Sequence, residues 1–151
     1  MSSASVSAFR GAQRAAAVCG LLFAMDALHA HPRQVDIPID VAANAAYAYA
    51  VILDNSNVVV VDPDYGDAAT PQRGVVYLVG SDHRVISTLK GVHSSDRIGS
   101  GGVTLLTNGN FVVQSPQSAC DDGTLACGAA TWVDGRTGLS GTVTSANSLM
   151  G

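Results

Sequence analysis

The feature that most limits what this chain can fold into is an internal copy. Leu106 to Pro116 (LTNGNFVVQSP) lies over Leu53 to Pro63 (LDNSNVVVVDP) at a constant offset of 53 residues. Downstream, Gly128 to Val133 lies over Gly74 to Val79 at an offset of 54, and Asn147 to Gly151 lies loosely over Ser87 to Gly91 at 60. Self-similarity at such a period marks a repeat architecture, in which each unit is one supersecondary motif that hides its apolar face against a neighbour.

The pattern inside each copy is that of strands. In the first, Tyr47 to Leu53, Asn57 to Asp62, Gly74 to Val79 and Arg84 to Leu89 are strand-like, separated by Asn55-Ser56, the polar stretch Asp64 to Arg73 and the turn Gly80 to His83. Four consecutive valines, Val58 to Val61, suit a strand buried on both faces, and Pro63 ends it. In the second copy Gly101 to Leu106, Asn110 to Ser115, Gly128 to Val133 and Leu139 to Thr144 follow the same plan. Asn108-Gly109 is a hairpin signal for a type I′ turn, which needs positive φ at both central residues. The expected class is therefore all-β. Two four-stranded antiparallel meanders, residues 47–91 and 92–151, resemble blades of an incomplete β-propeller, with a β-sandwich as the alternative. A propeller ring needs about four to eight blades, so the chain is expected to be the N-terminal part of a longer array or to assemble with another copy.

Ahead of the repeats, Arg10 and Arg14 precede the eleven-residue apolar run Ala15 to Met25, and Ala27-Leu28-His29-Ala30 offers small residues for cleavage. That order reads as a helical signal peptide over 1–30, too short to span a bilayer, followed by a lead-in segment over 31–46 with an edge strand around Val35 to Ile39. Val18 before Cys19 is too large for a lipidation site. Cys19 then leaves with the signal. In the oxidising compartment that export implies, Cys120 and Cys127 are expected to pair; the eight-residue loop they close is worth about 2.5 kcal/mol by chain entropy.

Composition removes some functions. With 47% hydrophobic and 13% charged residues the chain is not a disordered one, and a net charge of −4 with eight scattered Lys and Arg offers nucleic acid no basic surface. Candidates for chemistry are few. Asp62, Asp64 and Asp67, with Asp54 nearby, form the densest acidic group and are the candidates for a calcium site, set against a solvated turn. His83 and His93 read as loop histidines. Gly99-Ser100-Gly101-Gly102 lacks the spacing of a nucleophile elbow and reads as a turn into a strand. Trp132 aligns with Leu78 and is expected in the core.

Gly74-Val75-Val76-Tyr77, Leu89-Lys90-Gly91, Asp96-Arg97-Ile98-Gly99-Ser100 and Asn108-Gly109-Asn110 together resemble the FG-GAP type of repeat seen in integrin-alpha-like propellers. Val103 to Pro116 with Gly128 to Gly151 is similar to the tandem repeats of large exported bacterial proteins of the adhesin or filamentous-haemagglutinin sort. The resemblance implies a propeller blade and calcium at the hairpin turns. Those turns here, Asp54 to Asn57 and Thr107 to Asn110, carry too few oxygen ligands for a cation that takes six to eight. The function expected is that of a secreted, non-enzymatic structural or binding module, adhesin-like, with no catalytic residue and no cofactor. Its partners would be further repeats, another copy of the chain, or a cell-surface protein or glycan, with no nucleic acid and no membrane span in the mature chain. The alternatives are a secreted propeller-type enzyme and a calcium-stabilised module.

Overall fold

Strands in this chain are where valine, isoleucine and threonine alternate or run together between turn residues, because branched side chains fit a pleated, half-buried surface. The computed structural model describes residues 39, 47–124 and 126–151. The expected signal peptide over 1–30 and, Ile39 apart, the lead-in segment over 31–46 lie outside them. The described residues carry nine strands and no helix.

Sheet A contains β1 (Tyr49–Ile52), β2 (Val58–Asp62), β3 (Val75–Val79) and β4 (Val85–Lys90) as an antiparallel meander. Sheet B repeats it with β5 (Gly102–Leu105), β6 (Phe111–Ser115), β7 (Ala129–Val133) and, last in the chain, β9 (Ser148–Met150). Ala129 stands opposite Met150 as Val75 stands opposite Lys90, so the two meanders are equivalent strand for strand and in register over the three pairs that β9 makes, while the longer β4 runs on through a bulge at Leu78/Val79. Both sheets are open; neither closes into a barrel.

Leu139 to Thr144 is not the fourth strand of the second meander. Its short strand β8 (Gly141–Thr142) leaves that unit and runs parallel to β4, with Gly141 opposite Leu89 and Thr142 opposite Lys90. Sheet A thus has five strands, in the order β1-β2-β3-β4-β8, while sheet B has β5-β6-β7-β9. The physical reason is the edge of β4. Its outward N–H and C=O groups would otherwise face solvent as a template for another chain. The excursion brings the Val143 amide to the Lys90 carbonyl at 3.0 Å and buries the Val143 side chain. It also lengthens the β7–β9 connection, so the offset between copies grows from 54 to 60.

The sheets stack face to face around one core. Val59, Val61, Val76, Leu78 and Leu89 come from one face of sheet A, and Phe111, Val113, Ala129 and Val133 from one face of sheet B. β2 and β3 are buried along their whole length, as the valine run demands, whereas β6 and β7 alternate between buried and accessible positions. Trp132 is therefore not a core residue: it lies on the far face of sheet B and is 52% exposed. Its counterpart Leu78 is buried because sheet B covers it.

The hairpin turns share one construction, which corrects the type I′ expectation at Asn108-Gly109. In Leu106 to Asn110 only Gly109 has positive φ, at 82°. Its amide reaches the Leu106 carbonyl at 3.0 Å, and the Leu106 amide reaches the Asn110 carbonyl at 2.9 Å. That is a three-residue loop, a type I turn closed by a left-handed residue. Leu53 to Asn57, Gly80 to Arg84 and Cys120 to Thr124 are built alike, with Ser56 (φ 67°), His83 (φ 65°) and Gly123 (φ 84°) in the left-handed place. In each, the residue before it (Asn55, Asp82, Asn108, Asp122) accepts a hydrogen bond through Oδ1 from the amide two positions on.

Candidate binding cleft at the seam between the repeats

The segment Asp96-Arg97-Ile98-Gly99 ties one meander to the other. Asp96 is 2% exposed and takes hydrogen bonds from the amides of Val92 (2.8 Å) and His93 (2.7 Å) on Oδ2 and of Ala119 (2.9 Å) on Oδ1. A buried carboxylate is tolerated because these donors replace its water. Ile98 enters the shared core, the Gly99 amide donates to Ser115 Oγ at 3.1 Å, and the Tyr49 hydroxyl donates to the Gly99 carbonyl at 2.9 Å. At the other end of the sheets the hairpin tips meet on Gly135: Asn55 and Asn57 of the first meander each donate to its carbonyl at 2.9 Å, and its amide donates to Asn110 Oδ1 at 3.0 Å. A Cβ at position 135 would strike the Gly109 carbonyl, so only glycine fits there.

Beside the Asp96 segment the two strand-ending prolines, Pro63 and its counterpart Pro116, form the walls of a cleft of about 460 Å³ lined further by Tyr47, Tyr49, Arg97, Ser100 and Gln117. Arg97 is fixed there by Asp64, Nη2 to Oδ1 at 2.7 Å, and its guanidinium stands 5.6 Å from the centre of the Tyr47 ring. The Nε of Arg97 is buried and has no hydrogen-bond partner among the described residues. Tyr47 is 66% exposed, so its ring is open to the cleft mouth. Burial pushes the pKa of the Tyr49 hydroxyl up, which keeps it a neutral donor to Gly99. An aromatic ring, a fixed cation and neutral polar side chains suit recognition of a polar ligand with flat apolar faces.

The calcium candidates are not brought together. Asp62 is buried and accepts from the Asp64 amide at 3.0 Å; Asp64 is the partner of Arg97; Asp67 is exposed, accepts from the amides of Ala69 and Thr70, and pairs with Arg73 at 3.3 Å. Among the described residues no three His, Cys, Asp or Glu side chains gather as ligands of a metal ion. His83 is a turn residue. His93 lies 3.9 Å from Asp96 through Nδ1, half-buried beside the cysteine loop. Gly99 to Gly102 is the turn leading into β5, as read from its spacing.

Cys120 and Cys127 stand at disulfide distance, with Cα atoms 5.4 Å apart, inside the range the bond allows. The loop they close is also held by Asp121, which accepts from the amide of Ser145 at 3.0 Å and from its hydroxyl, and those bonds lower the Asp121 pKa below the usual carboxylate range. A disulfide is weakly compatible with an extracytoplasmic location and does not by itself show one.

The cleft residues Tyr47, Tyr49 and Arg97 carry no motif that sequence reading attaches to binding. The signal available was the pair Pro63 and Pro116, repeated at the copy offset and so bound to stand side by side once the copies stack. Nothing among the curated proteins or the solved structures matches this chain. A family model described as a repeat of unknown function (DUF5650) matches residues 105–151, which span β6, β7, β8 and β9; the match supports a repeat and carries neither an integrin-type nor an adhesin identity.

Proposed function

We propose that the chain is an exported, non-enzymatic repeat module, its meanders the blades of a propeller-like array, with an adhesin-like role in which the seam cleft holds a surface glycan. The observation that carries this reading is the use made of the acidic side chains. Asp62, Asp67, Asp82, Asp96, Asp122 and Asp134 each accept backbone amides of their own turns. Asp64 holds Arg97, and Asp121 holds Ser145. Carboxylates committed in this way build loops, and loops on a stacked repeat are where such proteins recognise partners. A sugar ring laid on Tyr47, with hydroxyls towards Arg97, Ser100 and Gln117, is the ligand that suits the lining. Export is supported by the charged, apolar and small-residue order of residues 1–30 and by the cysteine pair.

The test is to express the chain from Met1 in a bacterial host and purify it from outside the cytoplasm. The N-terminus is expected at His31. On an immobilised-glycan panel the purified chain is expected to bind a defined subset saturably, and Tyr47→Ala to abolish that binding at unchanged Tm. Retention in the cytoplasm with an intact N-terminus contradicts export, and a panel with no saturable binding contradicts the glycan reading.

A further inference from the structure

The two meanders are equivalent strand for strand, so the surroundings of one show what the other lacks. Sheet A presents to sheet B the face made by Val59 and Val61 (β2), Val76 and Leu78 (β3) and Leu89 (β4), all buried. The equivalent positions of sheet B, at offsets 53, 54 and 60, are Val112, Gln114, Ala130, Trp132 and Leu149. Register places these five on one face: Val112 stands opposite Trp132, and Ala130 opposite both Gln114 and Leu149. This face is turned away from the core, with Trp132 52% and Leu149 82% exposed, and Val112 and Ala130 half-buried. Gln114, in the place of Val61, is the polar member of the face, and its Nε2 donates at 2.7 Å to Oγ1 of Thr104, which borders it on β5.

We propose that this face of sheet B is the seat of a further repeat of the same kind. The incoming unit lays on it the face that sheet B lays on sheet A, made of the counterparts of Phe111, Val113 and Val133. The inference rests on the repeat-module reading above and deepens it by naming the surface, the positions and the occupant. Three observations favour a repeat over any other cover. The contact between sheets A and B is head-to-tail, one face of a unit against the opposite face of the next, and a contact of that kind is not satisfied by the pair alone but continues from unit to unit, as a ring or an open array. Four of the five open positions keep apolar residues where an exterior strand face alternates to polar ones, Gln114 being the one polar member. Leu149 and Trp132 also hold the places of Leu89 and Leu78, which are among the largest fully buried side chains of the described residues. Stacked sheets pack about 10 Å apart with interdigitating side chains, and large residues at these places are what fills that layer.

Trp132 is the only tryptophan, so the seat carries its own reporter. The experiment extends the full chain after Gly151 with a second copy of residues 92–151 in which that copy's tryptophan is phenylalanine. Seating buries Trp132: its emission moves to the blue and its quenching by acrylamide falls about threefold. Leu149→Glu in the body of the extended chain is expected to restore the quenching of the unextended protein while leaving the first two meanders folded by circular dichroism, because position 149 is open in the natural chain. An appended copy that folds while Trp132 stays as quenchable as before overturns the seat and leaves the repeat-module reading standing. An appended copy that remains unfolded also overturns it. Protection of Trp132 that grows with concentration in the natural chain alone identifies a second copy as the occupant and overturns the head-to-tail choice.

Discussion

At the scale of single residues, the left-handed turn positions and the turn aspartates decide most. Three-residue loops recur four times, and two of them place a side-chain residue where glycine is at ease: Ser56 and His83, at φ 67° and 65°. A left-handed conformation costs an L-residue roughly 1 kcal/mol. His83→Gly is expected to raise the unfolding free energy by up to about 1 kcal/mol, offset in part by the added freedom of the unfolded chain, and Gly109→Ala to lower it by about 1 kcal/mol. Urea titration of the two variants checks both signs; a destabilised His83→Gly would show the histidine side chain making a contact the turn depends on. The acids predict a pH dependence. Asp67, Asp122 and Asp134 have pKa values lowered by hydrogen bonds from the turns they cap, from Thr70, Thr124 and Thr137 first among the donors, and Asp121 has its pKa lowered by those from Ser145. Lowered folded-state values mean that the unfolded chain takes up protons first as pH falls. Their contribution is complete above the ordinary aspartate value near about 4 and is lost below it. The urea midpoint should therefore fall between about pH 5 and pH 3, and Asp134→Asn, which keeps the Oδ1 acceptor but does not titrate, should flatten that fall. A midpoint unchanged over this range would contradict the turn assignments.

At the scale of elements, β8 separates what could be read from the sequence and what could not. Leu139 to Thr144 has the alternation of a strand, and nothing local says whose edge it joins: pairing partners are set by tertiary packing, to which a two-residue strand offers little pattern. The looser 60-residue match of Asn147-Ser148-Leu149-Met150-Gly151 to Ser87-Thr88-Leu89-Lys90-Gly91 was the correct guide to the fourth strand, because it kept Leu and Gly in place across the insertion. Other elements were legible for plain reasons. The valine run gave β2 and its two-sided burial, Pro63 and Pro116 ended their strands, and turn residues bounded the rest. Loop length, which the Asn-Gly pair does not reveal, decided against the type I′ turn. If β8 caps the edge of β4, the Val143 amide exchanges as slowly as those of β2 and β3, and Val143→Ala costs about 2 kcal/mol by loss of two buried methyl groups and the space they leave. Fast exchange at Val143 would show an open edge instead.

At the scale of the whole described part, the molecule is one meander built twice and stacked. Tyr49 to Gly99, Asp64 to Arg97, Gly99 to Ser115 and Asp96 to Ala119 clamp one end of the stack, and Gly135 clamps the other. The candidate cleft arises from this stacking, not from any motif, since its lining is gathered from Tyr47, Pro63, Arg97 and Pro116 only when the copies lie side by side. That is why the repeat was legible and the cleft was not. It also explains Trp132, whose alignment with Leu78 was right and whose burial was not: equivalent positions share a place in the unit but not a neighbour. The measurement that tests the stack most directly is a set of nuclear Overhauser contacts from methyl-labelled protein. The account predicts cross-peaks from the methyls of Val59, Val61, Val76, Leu78 and Leu89 to the Phe111 ring and to Val113 and Val133, and none from sheet A to the Trp132 ring. Cross-peaks confined within each sheet, or joining Trp132 to Leu78 or Leu89, would contradict it.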